Sequence, residues 1–294
     1  MSRGRPEAML TMKKYLLLAI LSVLWFGGTA GAVDLWQQLK KVLQPKDDKA
    51  KDSVLEPAMR ALTGFSAEEE VAIGRQAAGN LLGAAPLVND LKLQQYVNQV
   101  GRWVASQSDR PNLNWHFGVI DSLDINAFAA PGGYILVTKG LYRMLRDESE
   151  LAGVLAHEIG HVMKQHHLKL LQQQQLLEAG SKILKDTLGD NEYAQKLIGT
   201  GAELFARALD KRAEFEADRI AVVLAARAGY DPFGLPVVLQ DIGQVAKDDG
   251  TVALLFKTHP PPQERLEELD KAVGRRFDGL KGATLARRFY RLGS

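Results

Sequence analysis

Apolar and polar positions follow two rhythms along this chain. Ser66 followed by Ala-Glu-Glu-Glu70 makes an N-cap with an acidic first turn and predicts a helix to about Leu82. Leu91, Tyr96, Val97, Val100 and Val104 then keep helical spacing across residues 87–107. A period of two takes over at Trp115, Phe117 and Val119. With Ile125 to Ala129 and Tyr134 to Thr138 flanking the turn Pro131-Gly132-Gly133, it predicts a small antiparallel sheet. The stretch that follows, Leu151 to Met163, is apolar or small on every side except for His157, Glu158 and His161. Asp147 and Glu150 form a candidate capping box at its start.

A helix apolar all round is a buried helix. An ionised carboxylate beside two imidazoles in such a place costs several kcal/mol unless something compensates, and a metal cation does so most economically. Residues four apart share a helix face, so His157 and His161 can both turn a ring nitrogen to one ion. Glu158, one step round, can reach a water there without ligating the metal. That is the arrangement of the H-E-x-x-H signature of zinc hydrolases.

Two sources compete for a third ligand. Without a glycine at position 164, where Lys164 stands, a continuing helix puts His166 and His167 roughly 140° and 240° round from His161, which assigns both to a solvated surface. The other source is Glu214 in Arg212-Ala-Glu214-Phe-Glu216-Ala-Asp218. Glu214 can complete a His-His-Glu site while Asp218, one turn on, orients a ligating imidazole, and Glu216 lies on the other side. Taken alone this segment reads as an acidic first turn facing water, and only the need for a carboxylate ligand reverses that.

Composition narrows the chemistry. The 294 residues are 46% hydrophobic and carry a net charge of +2, enough to bury a large core and too near neutral to suggest nucleic acid. There is no cysteine, which removes disulfides and thiolate zinc sites and leaves histidine and carboxylate as the strong ligands. Arg3, Arg5, Lys13 and Lys14 precede an apolar stretch from Tyr15 to Phe26, and Ala30-Gly31-Ala32 offers a cleavage site. Residues 1–32 therefore read as a signal peptide, or as a membrane anchor if uncleaved, and residues 33–60 as an amphipathic and charged linker. Both place the bulk of the chain outside the cytoplasm, in a periplasm.

Four segments together resemble the M48 family of zinc metallopeptidases: His157-Glu158-x-x-His161, Glu214-Phe-Glu-Ala-Asp218, Asn126-Ala-Phe-Ala-Ala-Pro131-Gly-Gly133 and Thr258-His259-Pro-Pro-Pro-Gln-Glu-Arg265. They run in the family's order over residues 61–273. The resemblance implies an α+β, mostly helical, zincin-like core with one zinc ion on His157, His161 and Glu214, and Glu158 as general base to a zinc-bound water. It further implies a substrate-binding edge strand at Asn126, Ala127, Phe128 and Ala129, and places His259 and Arg265 near the metal. There they either stabilise the oxyanion of the tetrahedral intermediate or, through His259, block the fourth zinc position. Lys211 departs from the arginine that many members carry.

The expected function is an endopeptidase of unfolded or misassembled cell-envelope polypeptides, of the soluble periplasmic branch, with peripheral membrane association or envelope assembly machinery as partners. The rival is a chaperone-like binding protein that keeps zinc for structural reasons. Residues 180–201 read as a connector or lid. The tail 274–294, with Arg275, Arg276, Lys281, Arg287, Arg288 and Arg291, reads as a solvated basic face.

Overall fold

The computed structural model describes residues 64–175, 211–246 and 248–292, so the signal, linker and lid readings fall outside the described residues. Described residues 65–168 and 211–292 belong to one compact unit. Of a second unit only Gly64 and the helical residues 169–175 are described. Every candidate site residue lies in the first. Among the described residues, no helix is long and apolar enough to cross a membrane.

The unit opens with α1 (Ala67–Ala84), whose cap Ser66 and residue Glu69 exchange the two hydrogen bonds of a capping box. Next comes α2 (Leu91–Ala105), capped by Asp90, and then strands β1 (His116–Ile120), β2 (Ala127–Ala130) and β3 (Tyr134–Thr138). A short α3 (Lys139–Met144) leads to the histidine helix α4 (Glu148–Met163). Residues 211–227 form α5, followed by α6 (Gly234–Gln244), α7 (Ala253–Thr258) and α8 (Pro262–Val273).

The sheet is mixed, in the order β1-β3-β2. β2 and β3 pair antiparallel around the Gly132-Gly133 turn as expected, but β1 pairs parallel to β3. β3 turns back from β2 at the hairpin and lies between the two earlier strands, in the direction of β1. The outer edge of β1 is closed by side chains of α2. Gln94, through Oε1 and Nε2, meets the Val119 N–H and carbonyl at 2.9 Å each, and Asn98 Oδ1 and Nδ2 take the N–H and carbonyl of Phe117. A carboxamide carries one donor and one acceptor side by side, so two of them one turn apart stand in for a neighbouring strand. The outer edge of β2 has no such cover among the described residues.

α4 is the centre of the unit. Every residue from Glu148 to Val162 is buried, and Leu151, Leu155 and Ile159 are fully so. α6 crosses it at backbone distance because Gly153 has no side chain: a Cβ there would sit 2.5 Å from the Leu235 nitrogen. The capping box reading needs adjustment at this helix. Asp147 accepts from Glu150 N, but the Glu150 carboxylate reaches back to Arg146, taking its backbone N–H at 2.7 Å.

The C-terminal tail is not wholly a solvated face. Arg275, Arg276, Lys281, Arg287 and Arg291 are exposed. Phe289, however, is buried and stacks on Tyr142, and Arg288 pairs with the fully buried Glu148. Tyr96 and Tyr230 donate to the same carboxylate, so the tail closes over the start of α4.

Candidate metal centre

Sequence spacing brings His157 and His161 together on α4, and α5 delivers Glu214 to them. The two Nε2 atoms are 3.1 Å apart. Glu214 Oε1 is 3.2 Å from His161 Nε2, and Oε2 is 3.5 Å from His157 Nε2. Ligands about 2.0–2.1 Å from a tetrahedral zinc stand about 3.3 Å from one another, so this triangle has the dimensions of a zinc site.

Charge leads to the same place. Glu158, Glu214 and Asp218 are all buried and contribute −3, buried Arg265 contributes +1, and with both imidazoles neutral, as ligation of a cation requires, the sum is −2. One dication cancels it, which makes the donor set a fit for zinc.

Each protein group near the triangle is held by another. His157 Nδ1 lies 2.9 Å from Asp218 Oδ1. Asp218 in turn takes both Nε (2.9 Å, to Oδ2) and Nη2 of Arg265, from α8. Burial works to raise the Asp218 carboxyl, but the charge and hydrogen bonds of Arg265 outweigh it and hold its pKa down at about 2. Burial and Arg265 push His157 down, yet hydrogen bonds to Asp218 and Glu214 raise it to about 9. Burial drives the neighbouring His161 down to about 3, toward the neutral form in which an imidazole ligates a metal. Glu158 is buried without a hydrogen-bond donor from the described residues, and burial raises its pKa.

His259, at the end of α7, sits with Nδ1 2.6 Å from Glu214 Oε2. Ligand atoms of His157, Glu214 and His259 fall within 4.8 Å of one another. Arg265 has its Nε and Nη2 engaged by Asp218, and its Nη1 is 3.7 Å from Glu214 Oε2. Of the edge-strand residues, Asn126 and Ala127 are buried while Phe128 and Ala129 are half-buried. The register sets the carbonyl of Asn126 on Thr138 N, which turns the backbone of Ala127 and Ala129 away from β3. Asn126 Oδ1 occupies the Ala127 N–H.

Sequence reasoning missed two groups. Glu70, read only as part of an acidic first turn, is buried and accepts from Arg110, Gln165 Nε2 and the Gly132 N–H. Arg110 also donates to the Val162 carbonyl, so one carboxylate ties the β2–β3 turn to the end of α4. The second group is His166. Its assignment to a solvated surface is corrected: its side chain is 8% exposed, and its Nδ1 is 3.1 Å from His161 Nδ1. The helix does not continue. Gln165 takes φ 54°, and this left-handed residue swings His166 back over His161.

Residues 91–273 match the model of peptidase family M48. The chain is 31% identical over 225 residues to the beta-barrel assembly-enhancing protease of Escherichia coli K12, covering 74% of this chain and 46% of that protein. The Yersinia pestis protein of the same name is 32% identical over 214 residues, 69% of this chain and 44% of its own. The mitochondrial metalloendopeptidase OMA1 of Bos taurus is 32% identical over 171 residues, covering 55% of this chain and 33% of that protein. The chain thus spans less than half the length of these relatives.

Proposed function

The chain belongs to peptidase family M48, and on that premise we propose that it is a zinc-dependent endopeptidase acting on extended segments of unfolded or misassembled cell-envelope proteins. The observation that carries this reading is the convergence of His157, His161 and Glu214, whose ring Nε2 atoms are 3.1 Å apart and lie 3.5 and 3.2 Å from Oε2 and Oε1 of the carboxylate. The envelope setting draws on the name of the beta-barrel assembly-enhancing relatives and on the signal read at residues 1–32.

His157, His161 and Glu214 would hold the ion. Zinc supplies there a positive charge that acidifies a water and polarises an amide carbonyl. Glu158 takes the proton of the attacking water and passes it to the leaving nitrogen; its burial keeps the carboxyl above the ordinary glutamate range, closer to the pH at which it must both accept and release. Asp218 fixes the His157 ring, and Arg265 keeps Asp218 charged. The outward carbonyl of Ala127 and the N–H and carbonyl of Ala129 pair with an extended peptide, which accepts many sequences because only backbone is read.

A second reading concerns regulation. The closeness of His259 to both His157 and Glu214 supports its occupying the fourth position of the ion in a resting enzyme. Zinc content measured beside casein cleavage tests the main reading. Glu158→Gln should retain one zinc per chain and lose at least about 100-fold in turnover. Full zinc with no cleavage by the wild type, even after His259→Ala, would instead favour a binding protein.

A further inference from the structure

We propose that His166 is a positioning residue for the ligand His161 and the first link of a relay, His161–His166–Glu216, that orients the metal site from its rear. This rests on His161 being a zinc ligand through Nε2. A ligating imidazole nearly always donates its other N–H to a fixed acceptor, which sets the tautomer and the ring plane. For His157 that acceptor is Asp218 at 2.9 Å. For His161 the acceptor among the described residues is His166 Nδ1, at 3.1 Å.

The protons then have one consistent arrangement. With the His161 Nε2 lone pair turned to the ion, its Nδ1 carries the hydrogen and donates to His166 Nδ1. His166 must therefore carry its own hydrogen on Nε2, and that atom faces Glu216 Oε2 at 3.3 Å. The two rings meet edge-on at 80°, their centroids 5.0 Å apart, so nitrogen meets nitrogen and the rings do not stack.

Glu214 and Glu216, two residues apart on α5, thus serve opposite ends of one imidazole. Glu214 is at Nε2 directly, and Glu216 acts on Nδ1 through His166. The two orienting arms differ at their far ends. Asp218 is 1% exposed and backed by buried Arg265. Glu216 has a side chain 40% exposed, with Lys164 Nζ 3.7 Å away.

Zinc affinity, measured by competition with a chromophoric chelator on the full chain, tests the relay. His166→Ala should still bind one zinc per chain but about 10- to 100-fold more weakly. His166→Asn, whose Oδ1 takes the place of Nδ1, should recover most of that loss. Glu216→Ala, one link farther out, should weaken zinc less than His166→Ala. Wild-type affinity in His166→Ala overturns the proposal, as does an equal loss in the alanine and asparagine variants, which would mark a packing role alone; wild-type affinity in Glu216→Ala removes the last link. His161→Ala is the control, since its retaining wild-type zinc affinity would overturn the ligand assignment itself.

Discussion

His157 Nδ1 lies 2.9 Å from Asp218 Oδ1, and both groups are almost entirely out of water. The pair joins α4 to α5 and, through Arg265, to α8. Asp218→Ala should therefore have two effects. It frees the His157 ring, lowering zinc affinity by about 10- to 100-fold. It also leaves a buried guanidinium without its main partner, at a cost of about 3–5 kcal/mol. Chelator competition reads the first and urea unfolding of the zinc-free chain reads the second.

His259→Ala distinguishes block from catalysis. Removing a ring that occupies the fourth position should raise casein cleavage at unchanged zinc content. A fall of about 100-fold would show the ring to be an oxyanion donor instead.

Glu148 predicts a pH dependence of stability. Burial pushes its carboxyl up, but hydrogen bonds from Arg288, Tyr230 and Tyr96 outweigh this and leave its pKa below the ordinary value. A depressed folded pKa means stability that is complete above the unfolded value of about 4.3 and is lost as pH falls through the folded one. The difference in melting temperature between wild type and Glu148→Gln, both zinc-free, should be constant near neutrality and shrink below about pH 4.3.

Gln165 is held at φ 54°, where a side chain is strained, and its amide is fixed by Glu70 at 2.9 Å. Gln165→Val puts a β-branched residue there and removes that bond. A loss of about 1–3 kcal/mol in urea unfolding is expected, together with weaker zinc binding because His166 is no longer returned to His161. Stability equal to wild type would show the turn to be indifferent to its residue.

Much of the site could be read from local pattern. His157 and His161 share a face by spacing alone, and three ionisable groups in an apolar helix demand a counter-charge wherever the chain folds. That demand pointed to Glu214 and Asp218, themselves one turn apart, some fifty residues downstream. The strand β2 and its glycine turn were equally visible, because alternation and positive-φ glycines are short-range signals.

What only the tertiary structure decided depends on closures between distant segments or on one dihedral angle. The parallel pairing of β1 follows from where β3 returns, and no periodicity records that. Glu70 looked like one more acid of a first turn until Arg110, Gln165 and Gly132 converged on it. Phe289 became core, although basic residues surround it in sequence, because it meets Tyr142. His166 depended on a left-handed residue where no glycine stood, and that conformation is stabilised by a carboxylate 95 residues earlier in the chain. Periodicity reports which face of an element is buried; it carries no information about which distant group is waiting on that face.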